Sequence, residues 1–438
     1  MSKPSHWIHS ESSRWVREQI ITDAQAARIC SLYPTPTTVP WGLLLFTGFG
    51  AVVLGLGVIL LLAYNWDELP KIAKLGLVFG SVAAAHGGAL HLRRLDGWRP
   101  ILGEAVALLG TMFFGAGIWL VAQIYNIDEH YPNGFLFWGL GALAMAWAMD
   151  SIPQALVSVV VLTIWGCTEI FAFHSAIDGS WLLIAIGVGA LAWRKHSSLL
   201  LATVLASLYI LILSNAGYWS NESGVFFSAL AFSVGLLGTR HLLDVPMRNA
   251  GFGRVIAFFG FTGFLICAFI LTFENTAEHL LKWSLPEDAA AWVWFYRWVL
   301  PVAALANWCL PLLRLFREKS TAVPREEWLC PIAIFYSLGL SLAGLSSEHE
   351  LATLAFNLIV LALATAWMVR GCRDGQRRDM IIGSLILTTL VFARYFDLFD
   401  NLAARGAAFL LLGAILFAEG FYYRRLRKPE IANEGGAS

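Results

Sequence analysis

Apolar residues run along this chain in long unbroken stretches parted by short clusters of charge. Neither the one-sided stripe of a soluble amphipathic helix nor the alternation of a half-buried strand has this form. A run of roughly 17–25 apolar residues is what a helix needs to cross about 30 Å of hydrocarbon. Such runs fall near 41–64, 72–92, 101–125, 134–149, 153–173, 180–194, 197–214, 223–240, 253–273, 293–313, 328–346, 351–369, 378–396 and 406–423. They predict an all-α, polytopic transmembrane helical bundle of fourteen spans. The number falls to thirteen or twelve if the shorter runs at 134–149, 180–194 and 223–240 do not each cross.

The segment ahead of the first run has a different pattern. Residues 10–33 predict two short helices, because Thr22 followed three positions later by Gln25 has the spacing of a capping box, which satisfies first-turn amides. Trp15, Val16, Ile20, Ala26, Ile29 and Leu32 supply its apolar face. The following PTPTTVP (34–40) cannot continue a helix, since its prolines lack amide donors. The expected domains are therefore a cytosolic helical hairpin with its linker (1–40), a membrane domain (41–425) and a cytosolic tail (426–438). No run of signal-peptide length precedes the first span, which is expected to direct its own insertion.

Composition agrees: 58% of the 438 residues are hydrophobic and 14% charged, against about 45–50% and 25% in soluble domains. That excludes an ordinary soluble enzyme. Thirty basic and thirty acidic residues cancel, so no chain-wide basic field for nucleic acid exists. The zero conceals an asymmetry. Lys and Arg concentrate in short cytoplasmic loops, and with the N-terminus inside, 24 of the 30 basic residues fall on the inner side, including Arg93, Arg194, Arg240, Arg314, Arg370 and Arg424. The inner segments then carry +11 and the outer ones −8. Removing any one span would invert every later loop, so the charges favour fourteen spans with both termini cytoplasmic. The six cysteines show neither ligand spacing nor a disulfide framework.

Several stretches carry a resemblance. WVREQIITDAQAARICSLY, then AYNWDELPKIAKL, GEAVALLGTMFFGAGIWLVAQIYNI and FWGLGALAMAW, resemble the bacterial membrane-protein family called domain of unknown function 2157. RYFDLFDNLAARGAAFLLLGAILFAEGFYYRRLR is similar to the C-terminal end of its longer members. The resemblance covers about 13–165 and 390–428. It implies a multi-pass inner-membrane protein with a small cytoplasmic hairpin, and it brings no catalytic residues with it.

Ionisable or strongly polar groups inside spans are costly unless they pair, snorkel or line water, which singles out His86, Glu104, Glu169, Asn307 and Glu419. For the three glutamates the alternatives are pairing with loop arginines or headgroups, and proton or ion coupling. His86 reads as a packed imidazole. Asn307 lies between Pro301 and Pro311, each of which frees the carbonyl four residues earlier. At the outer surface, Asn65 and Asp67 follow the first span, Gln123, Tyr125, Asn126 and Asp128 end the third, and Arg394, Asp397 and Asp400 end the thirteenth. If those ends meet, an arginine faces several carboxylates beside aromatic rings, a pocket for a cationic or polyhydroxyl group. His130, His174, His279 and His349 read as exposed residues of outer loops.

No phosphate-binding glycine loop, zinc-protease helix or nucleophile elbow is present in the sequence, so no cofactor, metal or catalytic residue is expected. Three functions remain: a non-enzymatic scaffold or envelope-support protein docking a second membrane protein through its hairpin; a transporter or flippase; and a transferase at the outer face with Asp67, Asp128 or Asp397 as base. The bilayer is the one partner common to all three.

Overall fold

The Thr22–Gln25 box forms as its spacing requires. In the computed structural model, the Thr22 amide donates to Gln25 Oε1 (2.9 Å) and the Gln25 amide to Thr22 Oγ1 (3.3 Å). It opens helix α2 (Asp23–Leu32), which pairs with α1 (Ser2–Arg17). The first helix is longer than the sequence predicted, beginning at residue 2. Ser12 Oγ and Cys30 Sγ meet across the hairpin at 3.2 Å.

The structure describes residues 2–32, 70–96, 99–127, 130–176, 179–219, 222–242, 250–281, 291–318, 323–342 and 349–398, with isolated positions in 46–60 and 410–418. The expected first span (41–64) and last span (406–423) otherwise lie outside it. Among the described residues the structure is helix and turn, with no strand. The chain divides into two units, residues 1–129 and 130–438.

In the first unit, α3 (Lys71–Arg93) and α4 (Arg99–Tyr125) lie antiparallel. Small residues allow the approach: a Cβ on Gly110 would stand 2.5 Å from His86 Nδ1, and one on Gly117 2.7 Å from Val78 Cγ1.

The second unit begins with α5 (Pro132–Met149) and α6 (Ile152–Phe173). Helix α7 comprises Ser180–Leu182, a π-helical Leu183–Val188 and Gly189–Lys195. Helices α8 (Ser198–Trp219), α9 (Glu222–Leu242), α10 (Ala250–Ile270) and α11 (Glu274–Leu281) follow. Helix α12 comprises Ala291–Trp294, a π-helical Phe295–Val299 and Leu300–Ala306, and a turn at 307–308 parts it from α13 (Cys309–Glu318). Both irregularities sit just ahead of a proline, Pro301 and Pro311, where the ring removes a ladder bond and crowds the preceding turn. A 3₁₀ turn (Arg325–Trp328), α14 (Leu329–Leu342), α15 (His349–Arg373) and α16 (Arg377–Leu398) complete the unit.

Register is set by cross-helix hydrogen bonds. Thr163 pairs with Ser207, and the Tyr218 hydroxyl donates to the His174 carbonyl, so α6 and α8 run parallel at a constant offset of 44 residues. Helices α9 and α10 run antiparallel, with Gly260 against Leu237. Two apolar cores result, one around Leu162, Leu211 and Tyr296, the other around Phe227, Phe264, Trp308 and Phe356. Large apolar side chains such as Phe258, Val302, Phe335, Leu354 and Ile381 face outward, the inverse of a soluble protein and the surface a bilayer solvates.

Among the described residues seven helical stretches are long and apolar enough to cross a membrane: Lys71–Arg93, Arg99–Tyr125, Ile152–Phe173, Ser198–Trp219, Glu222–His241, Gly251–Ile270 and Glu350–Arg373. The chain is thus a polytopic helical membrane protein. Of the other expected spans that are described, α5 has 18 residues, α14 has 14, α16 is a 22-residue helix with charged residues near both ends, and α7 and α12–α13 are interrupted helices.

Candidate functional site

The sequence-derived outer cluster divides between the units. Gln123, Tyr125 and Asn126 end α4 in the first, with Asn126 in the left-handed region (φ 51°), which asparagine tolerates well. Arg394 belongs to α16 in the second. Asn65, Asp67, Asp128, Asp400 and Glu419 lie outside the described residues, and Asp397 lies in α16 with its side chain likewise outside. The Arg394 guanidinium lies 4.4 Å from the Phe273 ring centroid, and its Nη2 donates to Thr272 Oγ1 at 3.3 Å. These partners from the end of α10 are not in the sequence-derived pocket. Asn357 also reaches Thr272, donating to its carbonyl at 3.2 Å.

The membrane-embedded candidates are held by their neighbours. Glu104 lies 3.5 Å from Arg93, the loop-arginine alternative. His86 Nδ1 donates to the Val82 carbonyl (3.0 Å) while its ring packs against Gly110. Asn307 Nδ2 donates to the Gly235 carbonyl (3.3 Å) and Thr239 Oγ1 (3.1 Å), tying the α12–α13 break to α9. The adjacent Trp308 donates to the Val234 carbonyl (3.0 Å).

Glu169 departs from expectation. It is 2% exposed, and its partners among the described residues are a histidine and a tryptophan, not an arginine. Its Oε2 lies 2.7 Å from His130 Nε2, and its Oε1 accepts the Trp165 indole N–H at 3.2 Å. His130 therefore is not a free loop residue: its ring is also edge-on to Phe173, which Tyr131 flanks on a second edge. Helix α6 ends here in a left-handed His174 whose carbonyl Tyr218 caps.

The opposite end of the second unit carries groups that the sequence placed in solvated loops. Glu327, in the 3₁₀ turn, is buried, with His241 Nε2 2.6 Å from Oε2 and Arg240 Nη1 3.3 Å from Oε1. Trp308 and Trp328 meet edge to face beside it with ring centroids 5.5 Å apart, and Trp308 lies 5.6 Å from the His241 ring. Arg370 joins Glu326 (2.5 Å) and Asp379 (3.1 Å). Asp150 pairs with Lys195 and Arg194, whose hydrogen bonds hold its carboxyl below the ordinary value of 3.8. A sequence signal for Glu327 exists only in retrospect: an acidic pair between Pro324 and Trp328 that opens an apolar run.

Every one of these contacts joins side chains that the charge pattern puts on one side. Arg240, His241, Glu326, Glu327, Arg370 and Asp379 share one end; His130, Glu169, His174, Tyr218, Thr272 and Arg394 fall on the other. Chemically, the first end is a set of fixed ion pairs that clamp α9, the 3₁₀ turn, α15 and α16. The second offers a buried carboxylate reached through an imidazole. Among the described residues no group of three or more His, Cys, Asp or Glu side chains could hold a metal ion.

No curated protein and no solved structure matches the chain. Residues 13–155, from the hairpin through the start of α6, match the sequence model of a family, whereas the C-terminal stretch 390–428 lies outside that match. The family whose model residues 13–155 match is described as predicted membrane protein (DUF2157).

Proposed function

We propose that this chain is a non-enzymatic scaffold of the bacterial inner membrane, with both termini cytoplasmic and the α1–α2 hairpin as its docking module. The observation that carries the reading is the fate of Asn307. At a proline-flanked break, where a transporter would keep backbone and side chains for a substrate, its amide instead fastens α9 through Gly235 and Thr239. A continuous apolar core surrounds that joint. Polar side chains serve the same end elsewhere: Ser158 donates to the Gly139 carbonyl, and Tyr209 links Ser233 to the Phe259 carbonyl. The hairpin meanwhile presents Ile20 (64% exposed) and Leu32 (72%), apolar side chains suited to a second membrane protein.

The test is purification in native lipid with identification of co-purifying proteins, repeated with residues 1–32 deleted. A scaffold loses a specific partner on deletion and keeps it when Asp67, Asp128 and Asp397 are neutralised. A transporter or flippase for a cationic or polyhydroxyl substrate, or an outer-face transferase, shows the reverse dependence, and that outcome rejects the scaffold.

A further inference from the structure

Among the described residues the Glu169–His130 pair differs from four other polar side chains of the second unit. Asn307, Trp308, Tyr209 and Ser158 join helix to helix. Glu169 instead joins a buried carboxylate to a side chain exposed at the surface, with side-chain exposures of 2% for Glu169 and 38% for His130.

At 2.7 Å between Nε2 and Oε2 a proton must lie between the two atoms, since two lone pairs would repel. With that proton on Nε2 and a second donor from Trp165, the carboxylate is hydrogen-bonded but its charge stays uncompensated. A buried charge of that kind is unfavourable. One more proton on the imidazole turns the arrangement into a neutral carboxylate–imidazolium pair. We propose that Glu169 and His130 form a proton-binding site that opens at the His130 end of the bundle. In the binding step a hydronium gives its proton to His130 Nδ1, an N–H bond forms, one O–H bond breaks and water leaves; no electrons are transferred.

The surroundings suit this role. Phe173 packs edge-on against the imidazole and Tyr131 edge-on against Phe173, with His174 and Tyr218 at the adjoining helix end and the phenol already donating to a carbonyl. Two further buried polar groups lie near the carboxylate. Ser180 Oγ is buried without a hydrogen-bond partner and lies 3.6 Å from where a Gly166 Cβ would stand, one turn from Glu169. The 44-residue register puts Asn215, whose Oδ1 is likewise buried and unpartnered, at the level of residue 171.

The experiment is ¹⁵N-histidine NMR of the full chain in lipid nanodiscs across a pH series. One signal, assigned by its loss in His130→Gln, is expected to move with pH in the wild type. In Glu169→Gln the response of the same signal to pH should differ from that of the wild type, because the carboxylate against Nε2 is gone. If Glu169→Gln does not fold, Glu169→Asp, which keeps the charge on a shorter arm, gives a smaller difference. A His130 signal indifferent to pH, or one that titrates identically in the wild type and the folded Glu169 variant, overturns the proposal.

Discussion

His241 Nε2 stands 2.6 Å from Glu327 Oε2, across 86 residues of sequence, and the contact closes the end of α9 onto the 3₁₀ turn that starts α14. Glu327 is buried while Arg240, its second partner, keeps about a third of its side chain exposed. Removing one member of a buried pair leaves the others uncompensated, which costs more than the pair itself contributes. Glu327→Ala should therefore destabilise the protein by about 3 kcal/mol, and Glu327→Gln, which retains an acceptor, by less. Thermal unfolding in nanodiscs ranks the two; equal effects would show that the carboxylate's charge does not matter.

Helices α15 and α16 meet at Gly383, where an added Cβ would stand 2.7 Å from the Ala364 carbonyl oxygen and 2.8 Å from the Met368 amide. Backbone atoms cannot swing aside as a side-chain tip can. Gly383→Ala must push the helices apart, at about 1–3 kcal/mol for overpacking. Gly253, with nothing within 4 Å of its Cβ position, is the control: Gly253→Ala should be tolerated or mildly stabilising. Comparable losses from both would contradict the packing argument.

Asp150 connects the α5–α6 corner to the end of α7 by its contacts with Lys195 and Arg194. Those hydrogen bonds depress its carboxyl below 3.8. A depressed carboxylate stabilises the fold above its unfolded value and loses that contribution as pH falls through the lower, folded one. Asp150→Asn also preserves the left-handed conformation (φ 53°), which asparagine accepts. The variant should melt below the wild type at neutral pH, and the two should converge in acid as pH falls below 3.8 and through the lower, folded value. A gap that persists at low pH would point to a packing role instead.

Local chemistry was legible in this sequence where neighbours a few positions apart decide the outcome. The Thr22–Gln25 box and the irregularities ahead of Pro301 and Pro311 follow from short spacings. Long-range pairing was not. Nothing in the sequence joins Glu169 to His130, or Glu327 to His241, because each pair depends on how a connection folds back across a helix end. Charge in a short loop reads as solvated by default, and it stays so until a buried partner such as His241 is located. Arg297 is a further instance: counted among the outer charges, it is buried with its guanidinium 5.8 Å from the Phe227 ring centroid.

The capping box permits a local test. Thr22→Ala removes the hydroxyl that accepts the Gln25 amide, a loss of about 1 kcal/mol for such caps. In the full chain, hydrogen exchange at the first-turn amides of α2 should accelerate roughly fivefold at that cost, with exchange in α6 unchanged. Protection unaffected in α2 would mean that packing against α1 alone holds the hairpin.

Sidedness connects the span count to the contacts. Seven helices qualify by length and composition among the described residues; a count of fourteen requires in addition that every interrupted helix crosses. His196 and Asp374 fall at the end with Arg240 and Glu327, and His174 and Glu274 at the opposite end with Arg394. If every interrupted helix crosses, single cysteines replacing His196 and Asp374 react with a membrane-impermeant maleimide only from the cytoplasmic side, and those replacing His174 and Glu274 only from outside. An α7 that dips in and returns would put His174 and His196 on the same side. That result would lower the number of spans while leaving the hydrogen bonds around Glu169 unchanged, so the topology and the proton site can fail independently.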